Sequence, residues 1–328
     1  MLRACLLTSV LLVVAACSSD TGASDAGSPG SPAPDEPEAE TAPYVGVGFG
    51  PVGLAADDDG SVWVVAARDE TLARIPAGAD EPDLTVDVPG VPLRVAAAYG
   101  AVWVTSFDAK SVARVDPTSG EVVATIRTGA GPEGVAAGFG SLWVVAQDAG
   151  RLLRIDPADN AVSAEIPLEV GARLVEPGPD AMYVAHYATD AILRVDPATN
   201  AVTGSGAVCD GPQAMAVLDG KVWVTCTLSD EVVALDASTL ERVASVAVAG
   251  SPDSVAVTTD GRLVVVAEEG PTLVVVDPAT AAVASETMLG SERALGDRAN
   301  LDLVLVGAEA WVSSFNADRV YHVPLPPG

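Results

Sequence analysis

Gly131-Pro132-Glu133-Gly134, Val135-Ala136-Ala137, Leu142-Trp143-Val144-Val145, Leu152-Leu153-Arg154-Ile155 and the run 161–167 form one unit of a sequence that recurs about every 40 residues. A turn with Pro opens it, and a strand of small residues follows. A second strand centres on Trp, a third ends in Arg-hydrophobic-Asp-Pro, and a fourth completes the unit. The second run is apolar at consecutive positions, as a strand covered on both faces must be. Ala-rich first runs, here and at Val95-Ala96-Ala97-Ala98, suit the crowded inner edge of a tapering ring. Outward from this unit, all five Trp residues fall at the same step, at Trp63, Trp103, Trp143, Trp223 and Trp311, and Tyr183 and Leu263 are expected to fill the two gaps. Only the interval from Leu263 to Trp311 is longer. Such a period, with short strands and turn signals inside it, predicts an all-β fold: a seven-bladed β-propeller with four antiparallel strands per blade.

Counting strands predicts how the ring closes. The seventh unit stops after its third strand, Arg319-Val320-Tyr321-His322, while Tyr44-Val45-Gly46-Val47 stands before Gly50-Pro51 as Thr125-Ile126-Arg127-Thr128 stands before Gly131-Pro132. The N-terminal strand should therefore complete the last blade and leave no long open edge. Asp-Pro pairs at 116–117, 156–157, 196–197 and 277–278 start the turn into the fourth strand. Gly120, Asn160 and Asn200, four residues after the first three Asp, tolerate a left-handed backbone, whereas Leu240 and Ala281 imply a different turn or strain of about 1 kcal/mol.

Trp103-Val104-Thr105-Ser106 followed by Ser111-Val112-Ala113-Arg114-Val115-Asp116-Pro117 resembles the YVTN family of β-propeller repeats, which includes YncE-like proteins. The resemblance covers residues 44–328 and implies the fold; its motif is one of packing and names no ligand. The family's Asn is missing, the matching positions being read as Ala66, Ser106, Ala146, His186, Cys226, Val266 and Ser314.

Residues 1–16 carry Arg3 and then an apolar run too short to span a bilayer, in the pattern of a secretory signal. Val14-Ala15-Ala16-Cys17 resembles the lipobox of bacterial lipoproteins, which implies diacylation of Cys17, with palmitate-type chains as the membrane anchor; an ordinary signal peptide is the alternative. Acyl chains contribute about 0.8 kcal/mol per buried CH₂. Residues 17–42 are rich in Ser, Gly, Ala, Pro and acid, and no large apolar side chain precedes Tyr44, so they are expected to be a disordered tether. As a flexible coil it would reach roughly 25–30 Å. The propeller is assigned to 43–328. A net charge of −28 argues against nucleic acid and against direct contact with anionic lipid. The expected place is extracytoplasmic, on the cell membrane or the outer membrane, as a monomer.

Loops joining strand four to the next strand one, and strand two to strand three, gather on one face of a propeller. The residues after each turn Pro predict a channel mouth of mixed charge: Arg94, Glu133, Arg173, Gln213, Asp253 and, by a looser alignment, Asn300. These either pair with one another or bind a small polar ligand or peptide. Phe107, Tyr187 and Phe315 share one rim position and either recognise a partner or cap the packing between blades, and His186 belongs to the same face. Cys209 ends the fourth strand of unit four and Cys226 the second strand of unit five, so both reach one blade junction and a disulfide is expected. The reading that results is an envelope lipoprotein that binds a ligand or an envelope protein, or scaffolds an assembly, with no cofactor and no catalytic residue. The alternative is a lyase or lactonase like the streptogramin lyases and gluconolactonases, with Glu133, Asp253 and Asn300 holding calcium or magnesium. The second His, His322, is expected toward the opposite face, which rules out a His pair.

Overall fold

The computed structural model describes residues 42–291 and 301–327. The signal, Cys17, the tether up to residue 41 and Asn300 lie outside them. Seven four-stranded antiparallel sheets are arranged as blades. Blades 1 to 6 span residues 51–87, 92–127, 132–167, 172–207, 212–247 and 252–288. Blade 7 runs Leu301–Val306, Glu309–Ser314 and Arg319–Pro324, and its outermost strand is Tyr44–Val45, paired Tyr44↔Tyr321 and Val45↔Val320. The chain's own beginning thus closes the ring, with Val45 and Val47 buried beside Trp311 and Val320.

The Trp slot is a wedge between neighbouring blades. Trp63 packs against Val102 and Val104 of blade 2, and Trp143 against Met182 and Val184 of blade 4, each ring fully buried. One slot differs from the sequence reading. In blade 6 the turn between the first two strands is one residue longer, so Ala256 pairs with Val264, as Ala216 pairs with Trp223. Val264 therefore fills the slot, Leu263 flanks it, and Ala267 rather than Val266 takes the last position of the motif.

Behind the Trp rings of blades 1, 2 and 3 stands an Arg from the third strand. Arg114 lies 5.1 Å from the Trp103 ring and Arg154 lies 5.0 Å from Trp143. Each guanidinium also donates to the next blade's turn: Arg114 to Pro157 O and Asn160 Oδ1, Arg154 to Pro197 O and Asn200 Oδ1, and Arg74 to Pro117 O. The Asp-Pro turn thus serves its own strand and also receives the neighbour's Arg. His322 takes the equivalent place in blade 7, stacked on Trp311 at 4.9 Å.

The seam between blades 4 and 5 is built differently. Arg194 turns to Asp180 and Thr203 within its own blade, and Tyr183 Oη donates to Ala237 O across the seam. Leu240 and Ala281 keep the left-handed turn, with φ of 59° and 51°. Leu240 is 4% exposed and lies over Gly206, where a Cβ would come within 2.5 Å of the Leu240 carbonyl oxygen. Burying that side chain offsets the backbone strain. Cys209, two residues beyond the outer strand of blade 4, is joined to Cys226 of blade 5 with Cα atoms 5.9 Å apart. Opening this 17-residue loop with dithiothreitol is expected to cost about 3 kcal/mol of stability, read as a lower Tm that Cys209→Ser reproduces.

Candidate functional site

The inner strands begin at one rim, and a bulge after most of their leading residues turns one side chain per blade toward the channel mouth. Hydroxyls fix that bulge. Thr105 Oγ1 accepts from Arg94 N and donates to Glu133 O at 2.8 Å; Thr225 Oγ1 accepts from Ala214 N and donates to Asp253 O at 2.9 Å. Ser313 Oγ accepts from Asp302 N and donates to Val52 O. The Thr of the repeat motif thus sets the backbone of the next blade's mouth residue.

Glu133, Arg173 and Gln213, each 40 residues from the next, meet as one chain across blades 3, 4 and 5. Arg173 Nη2 donates to Glu133 Oε1 at 2.6 Å, Nε to the same carboxylate at 3.0 Å, and Nη1 to Gln213 Oε1 at 2.9 Å. The Glu133 side chain is 5% exposed. Burial works against the Arg173 charge, but Glu133, and after it Asp253 and Glu268, more than offset this and hold its pKa above the ordinary arginine value. The Tyr187 ring lies 5.3 Å from the Arg173 guanidinium, within the short 3₁₀ turn Tyr187–Thr189. Asp253 is buried and accepts from Leu301 N at 2.6 Å; burial raises its pKa, against the pull of Arg94 and Arg173.

Other residues expected at the mouth part company. Phe107 lines it together with Leu93, Arg94, Glu133, Gln147 and Arg173, around a cavity of about 230 Å³. Phe315 lies under Arg68 at 4.2 Å. His186 is 2% exposed, donates from Nε2 to Glu169 O at 3.1 Å, and faces a groove between blades 3 and 4 rather than the channel. The position assigned to Asn300 is held by Leu301, because Asp302 pairs with Ser313 as Arg94 pairs with Thr105.

Two carboxylates that the sequence reading passed over line the channel itself. Asp302 Oδ2 accepts from Leu54 N at 3.0 Å, and Oδ1 accepts from Ser254 Oγ and Leu303 N, which ties blade 7 to blades 1 and 6. Glu176 lies deeper, at the level where Ala55, Ala96, Ala136, Ala216, Ala256 and Val304 stand in the other blades. Desolvation in the channel pushes its carboxyl up to about 8. The unfolded chain therefore releases this proton at lower pH than the folded one. Stability should fall as pH rises from the ordinary glutamate range toward 8, and Glu176→Gln is expected to flatten the Tm–pH profile over that interval. Among the described residues, no group of three or more His, Cys, Asp or Glu side chains is arranged to hold a metal.

This architecture is that of a β-propeller protein. Among solved structures it is similar to virginiamycin B lyase from Staphylococcus aureus, with a TM-score of 0.71 and 16% identity over 85% of this chain and 96% of that one. It is also similar to hydrazine synthase from Kuenenia stuttgartiensis (0.72, 13%, over 90% and 99%) and to BamB from Moraxella catarrhalis (0.58, 16%, over 83% and 82%). The chain matches no protein-family model and no curated protein sequence. At these identities the likeness is one of fold.

Proposed function

We propose that this chain is a YVTN-type propeller lipoprotein of the cell envelope, which binds a small polar ligand or an envelope protein at its channel mouth. The observation that carries this reading is the convergence of Arg94, Glu133, Arg173, Gln213 and Asp253 from five successive blades on one rim, with Phe107 and Tyr187 beside them. A buried ion pair gives the rim a fixed base, and aromatic rings supply contact area at low entropic cost. The run Val14-Ala15-Ala16-Cys17 supports attachment through an acylated Cys17, and the acidic stretch behind it supports a spacer that holds the ring off the membrane. A metal-dependent lyase or lactonase is the competing class. It would need carboxylates that are committed elsewhere, Glu133 to Arg173 and Asp253 to the Leu301 amide.

Palmitate labelling is expected to mark the wild-type chain and to fail on Cys17→Ser, which should leave the membrane fraction; label on that variant would sink the anchor. A photo-crosslinker at Phe107 in intact cells should capture a partner that one at Val123, on the exposed outer strand of the same blade, does not. The same capture from both positions would count against the mouth. Stoichiometric calcium in the purified protein, with a lower Tm in EDTA, would move the assignment to the enzyme class.

A further inference from the structure

We propose that the channel beneath the mouth is a binding site for a small monocarboxylate, held between the Arg94 guanidinium and the Glu176 carboxyl. The cavity there measures about 190 Å³, and Leu54, Arg94, Glu176, Met215, Ser254 and Asp302 are among its lining residues. Arg94 is 8% exposed, yet its buried Nε and Nη1 have no hydrogen-bond partner, and it makes no ion pair among the described residues. A permanently charged group in that situation is costly unless an anion completes it. Neither neighbouring carboxylate does so by hydrogen bonding: both oxygens of Asp302 are committed to Leu54 N, Leu303 N and Ser254 Oγ, and Asp253, which feels the Arg94 charge, accepts from Leu301 N instead.

Glu176 supplies the second contact. Desolvation in the channel suppresses its ordinary ionisation, so at neutral pH it is an O–H donor that faces the same cavity. The charged groups that share the cavity are Arg94 above it and Asp302, and Tyr183, its partner across the strand pair, directs its hydroxyl away to Ala237 O. Glu176 stands two residues deeper along its strand than the level of Arg94, an offset of roughly 7 Å. A carboxylate that accepts one hydrogen bond on each oxygen covers a similar distance. A multiply charged anion such as phosphate would set its extra charge against Asp302, and an ionised Glu176 would repel any anion. The cavity of the mouth shares Arg94 with the channel and provides the way in. In this respect the proposal rests on the mouth being an entry for ligands, but it needs no protein partner.

The test is titration of acetate and propionate into the purified full-length chain, followed by ligand-observed NMR, with chloride and phosphate at matched ionic strength for comparison. Saturable binding of propionate is expected at pH 7 and should weaken roughly tenfold at pH 9, as Glu176 ionises. Arg94→Met should reduce the affinity at least tenfold. Glu176→Gln, which keeps a donor without a titrating proton, should bind at pH 7 and hold its affinity at pH 9. The proposal is overturned if neither acid binds, if phosphate or chloride binds as well as propionate, if folded Arg94→Met binds like wild type, or if Glu176→Gln follows the wild-type pH profile. Should Arg94→Met fail to fold, the Glu176→Gln profile decides. Failure here with a partner captured at Phe107 would leave the protein-binding function standing, and the reverse result would leave the channel site standing.

Discussion

Arg173→Ala is expected to lower the unfolding free energy by about 3–5 kcal/mol, because it strands the Glu133 carboxylate without a counter-charge. That carboxylate is 5% exposed, and three hydrogen-bond contacts from one guanidinium serve its two oxygens. Restoring a positive charge as Arg173→Lys should recover only part of the loss, since an ammonium cannot hold Glu133 and Gln213 in one planar fork. Removing both charges, as Arg173→Met with Glu133→Leu, should recover most of it, since an apolar pair carries no desolvation penalty. Guanidinium denaturation of the four proteins reads the whole series. A single-mutant cost below about 1 kcal/mol, with no recovery in the double mutant, would mean that the mouth is wet and the pair is loosely held.

A loss of comparable size is expected for Trp143→Ala, about 3–5 kcal/mol, because the ring fills the wedge against Met182 and Val184 and nothing nearby can collapse into its place. The substitution also removes the surface on which Arg154 rests, 5.0 Å from the ring, although the hydrogen bonds of that Arg to Pro197 and Asn200 remain available. Trp143→Phe should cost less than half as much. Hydrogen exchange should show protection lost first in blades 3 and 4, since their shared face is where the ring sits. Uniform loss around the ring would show that the blades unfold as one unit and that the seam has no local stability of its own.

The architecture could be read from the chain because its signals are periodic and physical: a Trp where a wedge must be filled, Asp-Pro where a turn must start, and a stray first strand where the last blade lacks its fourth. Reading failed where the period slipped. One extra residue in the first turn of blade 6 moved the slot from Leu263 to Val264. In blade 7, where the spacing from the preceding unit is longer, the mouth position fell on Asn300 and Asp302 was overlooked. Pairing a Ser or Thr in the second strand with the residue it caps would have found Asp302, since Ser313 stands in blade 7 where Thr105 and Thr225 stand in blades 2 and 5. Glu176 had a visible signal as well, a single acid at a level where six other units carry Ala or Val. Whether a side chain such as His186 turns toward the channel or toward the neighbouring groove depends on packing between blades, which no single repeat records.

The strand that shuts the ring also carries to it any pull from the N-terminal side. Tyr44–Val45 pairs with the third strand of blade 7 through two residue pairs, reinforced by Arg319 lying 4.3 Å from the Tyr44 ring. Tension applied upstream would load first the Ala42 amide bonded to Leu289 O and then this short contact, unzipping the last blade while the six continuous ones stay intact. A ring sealed by its leading end is therefore a mechanical fuse: firm at rest, and opened at one defined place when the chain is drawn taut.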